Sequence, residues 1–106
     1  MKTKQFFLLA LTMMVLISAH GQSNQPSSEV ILSAAYKQAG ALNKKVFVMF
    51  HASWCKWCHK MDSSMNDIAC RKLFDDNYIT CHLIVDESKN KKDLENPGAV
   101  EFRKKY

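Results

Sequence analysis

The 106-residue sequence has no apolar run of comfortable membrane-spanning length, no internal repeat and no low-complexity tract. Its longest apolar stretch, residues 6–17, falls short of the roughly 18 residues a transmembrane helix needs. No basic cluster is interleaved with aromatic residues. The lysines and arginines at 44–45, 89–92 and 103–105 therefore read as solvated faces, and no nucleic-acid surface is expected. What remains is 47% apolar and 24% charged, an ordinary globular composition with room for one small domain.

Residues 1–21 read as a signal peptide. Lys2 and Lys4 supply positive charge, the apolar stretch follows, and Ala19-His20-Gly21 sets small residues at the spacing a signal peptidase requires. Cleavage is expected before Gln22, with an uncleaved membrane anchor as the alternative. No cysteine follows the cleavage point, which argues against a lipid anchor there. Removing this leader deletes two of the 15 basic residues and none of the 10 acidic ones, so the formal charge falls from +5 to +3. A periplasmic or secreted location follows, with no membrane association after cleavage. Four cysteines in such a compartment pair, bind cofactors or do redox chemistry.

Residues 22–28 are polar, contain Pro26 and form a linker; the domain is expected over 29–106. Ser27 or Ser28 can cap a helix running to about Asn43, with Glu29 in its first turn and Val30, Ile31, Ala34, Ala35, Ala39 and Leu42 at helical spacing. Residues 46–50 are continuously apolar and suit a strand buried on both faces of a parallel sheet. Residues 51–54 turn out of it. A helix over 55–65, a further helical turn over 68–75 ended by Asn77, a second buried strand over 78–85 and a polar loop over 86–92 follow. Val100, Phe102 and Tyr106 mark a last short helical stretch. The order strand, helix, strand is a parallel βαβ unit of the α/β class.

The chemistry concentrates at Cys55-Lys56-Trp57-Cys58. A cysteine placed where a strand hands over to a helix meets unpaired backbone amides and the positive end of the helix dipole, so Cys55 should ionise readily and act as nucleophile. Cys58, one turn further in, can attack the mixed disulfide formed by Cys55 and release the product. Lys56 adds positive charge, Trp54 and Trp57 offer a flat apolar rim, and His59 is placed to stabilise a thiolate or move protons.

Other readings compete. Cys55-x-x-Cys58-His59 matches the c-type haem attachment pattern, but no methionine follows Met65, and His82, the one later histidine, lies inside an expected strand. A zinc site would need Cys55, Cys58, Cys70 and Cys81, whose spacing lacks a second close pair; no metal site is expected. Cys70 and Cys81 are buried free thiols or a second disulfide. Trp57, Met61 and Met65 share helical spacing and read as core packing.

Phe50-His51-Ala52-Ser53-Trp54-Cys55-x-x-Cys58 resembles the thioredoxin family, as do Asp86, Asn96-Pro97-Gly98 and Lys105-Tyr106 further on. The resemblance implies a thioredoxin-like βαβ fold and a thiol-disulfide oxidoreductase with Cys55 attacking and Cys58 resolving. Its partners would be protein thiols or disulfides and an upstream redox protein, with no separate cofactor. Lys56-Trp57 replaces the family's Gly-Pro, which leaves the reduction potential open. Met49 stands where thioredoxins often bury an aspartate, a role left to His51, His59 or water. The family continues into a cis-proline loop and a ββα part. The sequence is thus expected to be truncated there, and unstable and weakly active alone. A non-catalytic peptide-binding module with a structural Cys55–Cys58 bond is the alternative.

Overall fold

The computed structural model describes residues 23–106, and the expected leader with its cleavage point lies outside them. The first helix, α1, spans Ser28–Leu42. Ser27 starts it by accepting the Val30 N–H on its hydroxyl at 3.3 Å, which satisfies one of the unpaired donors of the first turn. Asn43 ends it in a left-handed conformation, φ 52°, with its own N–H on the carbonyls of the last turn. The buried stripe is Leu32, Ala35 and Ala39, whereas Val30 and Leu42 face outward. A contiguous apolar triplet, Val30 to Leu32, leaves the angular position of that stripe ambiguous until the sheet is in place.

Strand β1, Lys45–His51, and strand β2, Tyr78–Ile84, pair in parallel, Lys45 opposite Tyr78 through His51 opposite Ile84. Between them run α2, Lys56–Met65, and α3, Arg71–Asn77. The α/β order and the parallel pairing are as expected. Burial of β1 is not: only Met49 is buried, and its neighbours are half-covered or exposed. Short helices explain this, since α3 has seven residues and the last helix, α4 over Ala99–Arg103, has five.

The sheet has two different faces. On one side Leu32, Ala35, Cys81, Leu83, Val85 and Ala99 form the apolar core, with Val46, Val48 and Phe50 packed against it. On the other, Phe47 meets Phe74 of α3 and Tyr78 edge-on at 5.7 and 6.0 Å, and His51 lies beside His82 at 5.0 Å between ring centres. Period-two alternation along each strand produces this division.

Helix α3 starts three residues later than the periodicity predicts. Asp67 takes the Ala69 N–H on its carboxylate and the Cys70 and Arg71 N–H groups on its carbonyl, a local turn that competes with helix and leaves Ile68 exposed. Asn77 closes α3 by donating its side-chain amide to Leu73 O. The polar stretch after β2 is partly ordered as a 3-10 helix, Lys89–Leu94. Next to it, Ser23 donates to Asp93 O and Glu95 O, and buried Asn96 joins Pro26 O to the Ile84 N–H, so the start of the described chain is tied to the far end of the sheet.

Candidate active site

Strand β1 ends at His51, Ala52 is buried under the turn, and the Cys55 N–H closes that turn on Ala52 O at 3.0 Å. Cys55 therefore becomes the residue that caps α2. Its Sγ accepts the Cys58 N–H at 3.3 Å, and the two sulfurs are bonded at 1.99 Å. Cys58 lies further in, its Sγ 3.8 Å from Phe50 O. A sulfur at this cap faces the free N–H groups of the first turn and the positive end of the helix dipole, and both favour the thiolate once the bond is reduced.

Around the pair, Trp54 and Trp57 are 63% and 77% exposed and form an open aromatic rim. Lys60 stands over the Trp57 ring at 5.1 Å, and Lys56 is exposed beside it. His59 reaches back to the turn before Cys55: its Nε2 lies 3.2 Å from Ser53 O, so it braces that turn. Met61 and Trp57, expected in the core, point to solvent; only Met65 of that series is buried. Ten residues of α2 rest on a two-stranded sheet, which covers a stripe narrower than the apolar spacing suggested.

Two acidic residues after β2 hold the site in place: Asp86, which the sequence marks only through its family resemblance, and Glu87, which it does not mark. Glu87 is buried and takes the Ser53 N–H at 2.6 Å and the Ser53 hydroxyl at 2.7 Å on its two carboxylate oxygens. Burial pushes its carboxyl up, but the two Ser53 bonds, with Lys91 and His51 nearby, outweigh this and hold it below the ordinary value. Asp86, in the left-handed region at φ 54°, accepts the Trp54 indole N–H on its carbonyl at 2.8 Å. Its carboxylate takes two guanidinium bonds from Arg103 of α4, and these lower its pKa. The only signal in the sequence is an acidic pair directly after an apolar strand. Nothing there points 34 residues back to Ser53.

Cys70 and Cys81 are free thiols, and the possible second disulfide is not formed. Cys81 is buried against α1, where burial pushes its thiol up, while Cys70 is exposed at the start of α3, the helix that packs on the opposite face. The same separation keeps the four cysteines from converging as a zinc set. A cavity of about 150 Å³ at the end of the sheet is lined by His51, Trp54, Cys55, Cys58, Asp86 and Arg103, among others.

A family model described as thioredoxin-like matches residues 27–104. The chain matches no curated protein and no solved structure.

Proposed function

Because this chain belongs to the thioredoxin-like family, we propose that it is a thiol-disulfide oxidoreductase that exchanges disulfides with protein partners through Cys55 and Cys58. The observation that carries the reading is the Cys55 sulfur at the mouth of α2, bonded to Cys58 and receiving its N–H. In the reducing direction, the Cys55 thiolate attacks one sulfur of a substrate disulfide and expels the other as a thiolate. Cys58 then attacks Cys55 Sγ, the substrate leaves as a dithiol, and the Cys55–Cys58 bond closes. Run backwards, the same steps oxidise a substrate dithiol.

Trp54 and Trp57 supply the surface on which a substrate segment lies, Lys56 favours the attacking thiolate, and His59 keeps the turn before Cys55 in shape. An upstream redox protein resets the pair after each turnover. The leader-like residues 1–21 support a periplasmic or secreted site of action, and the mature protein would begin at Gln22.

Insulin reduction by the full chain, with Cys55→Ser as control, tests the assignment. The wild type should precipitate insulin chains in the presence of a small dithiol, and C55S should fall to the dithiol's own rate. Equal rates would end the catalytic reading. The reduction potential of the pair then chooses among reductase, oxidase and isomerase.

A further inference from the structure

Closing the Cys55–Cys58 bond requires Cys58 to give up a proton, because only the thiolate attacks a disulfide. Cys55 has the helix mouth to lower its pKa; Cys58 lies a turn inside. The buried side chain on this face of β1, Met49, has no ionisable group. The titratable groups facing the cysteine pair and the space between sheet and α2 are His51 on β1, His82 on β2, His59 and Asp62 on α2, and Asp86 and Glu87 after β2.

Four of these are engaged elsewhere. Glu87 has both oxygens on Ser53, Asp86 has its carboxylate on Arg103, His59 has its Nε2 at Ser53 O, and Asp62 faces His82, with Oδ1 3.7 Å from Nε2. His51 lines the same cavity as Cys55 and Cys58. Behind it, 5.0 Å between ring centres, His82 has an Nδ1 that is buried with no hydrogen-bond partner among the described residues, while its other nitrogen opens toward Asp62 and solvent. A buried imidazole nitrogen left without a partner is costly, and a site where a proton comes and goes is one reason to keep it.

We propose that His51, backed by His82, accepts the proton of the Cys58 thiol when Cys58 resolves the mixed disulfide on Cys55. This rests on the oxidoreductase reading above. The Cys58 S–H proton passes to His51, the Cys58 thiolate forms a bond to Cys55 Sγ, and the bond from Cys55 to the substrate sulfur breaks. The substrate leaves as a thiolate and is protonated by the His51 imidazolium, or by solvent while His51 returns its proton past His82 and Asp62. No electrons beyond those of the two disulfides are exchanged. Partial burial, then His82 and His59, lower the His51 pKa, while Asp62 and Glu87 pull it back. The ring is therefore neutral and ready to accept a proton at neutral pH.

The test is stopped-flow reaction of the reduced full chain with DTNB, in a Cys70→Ser background that removes the exposed free thiol. Cys55 releases the first coloured thiolate in a phase proportional to DTNB. Cys58 releases the second in a phase independent of it. His51→Gln should slow the second phase about a hundredfold at neutral pH, the modest end of what a positioned base supplies. It should leave the first phase unchanged, and the deficit should vanish at alkaline pH, where Cys58 ionises unaided. If H51Q fails to fold, His82→Gln serves: loss of the neighbouring imidazole should move the acid limb of the second phase to higher pH. An H51Q second phase equal to the wild type, or an acid limb unmoved in H82Q, overturns the proposal. A wild type with no second phase overturns the dithiol reading itself, a different outcome.

Discussion

The two faces of the sheet are built from different materials. Against α1, the strands present Val46, Val48, Cys81 and Leu83, a dry apolar layer whose centre, Leu83, is wholly buried. Against α2 and α3 they present Phe47, Met49, His51 and His82, a layer of aromatic rings, one sulfur and two imidazoles that opens toward the cysteine pair. The first arrangement can only stabilise. The second carries two imidazoles beside the end of the sheet where the cysteines lie, and its cover is two short helices. Stability and chemistry are thus separated by the pleat of two strands seven residues long.

The sharpest way to break this contrast is Leu83→Ala, which empties the centre of the apolar face. A loss of about 3 kcal/mol is expected from the transfer and cavity terms together, read as a shift in the urea midpoint. A change below 1 kcal/mol would mean that this layer is not the seat of stability. Gly98→Ala strikes the same face at its rim. Gly98 sits at φ +81°, and a Cβ there would meet Ser28 Oγ at 2.8 Å, so about 1 to 2 kcal/mol should be lost. An unchanged thermal midpoint would show that the junction of α1 and α4 yields freely.

On the chemical side, Glu87→Gln should cost about 1 kcal/mol at neutral pH, because a charge-assisted pair of bonds to Ser53 becomes a neutral one. The folded pKa of Glu87 is depressed, so its contribution is present above the ordinary carboxylate range and is lost as pH falls through the lowered value. The gap between wild type and E87Q should accordingly close in acid; a gap constant with pH would contradict the clamp. Trp57→Ala should change stability least, by no more than about 0.5 kcal/mol for a side chain so exposed. It should still slow reduction of a protein disulfide several-fold while sparing DTNB. Equal loss on both substrates would remove Trp57 from the docking rim.

Local chemistry was legible in the sequence, and long-range chemistry was not. The Ser27 cap, the strand over 46–50 and the cysteine at the head of α2 each depend on residues within a few positions, and all appear within one or two residues of expectation. The delayed start of α3 depends on one carboxylate, Asp67, competing for amides that the apolar pattern assigned to helix. Cys70 and Cys81 were open to pairing because face parity of Cys81 and the packing side of α3 become known only when strands and helices are laid together. Glu87 was hidden in a polar loop for the same reason, its partner lying 34 residues away. His51 and His59 were interchangeable in a linear reading; the fold turns one toward His82 and ties the other to Ser53.

The position of Cys81 has a bearing on fidelity. Disulfide exchange is open to any accessible sulfur, and this chain holds a spare sulfur on the strand that borders its cysteine pair. Because Cys81 is walled in by Leu32 and Ala35 on the far side of the sheet, with a thiol that resists ionisation, a scrambled bond to Cys55 or Cys58 would demand that β2 turn over and surrender its whole apolar layer. The alternation of side chains along one strand thus keeps this one sulfur, Cys81, apart from the Cys55–Cys58 bond.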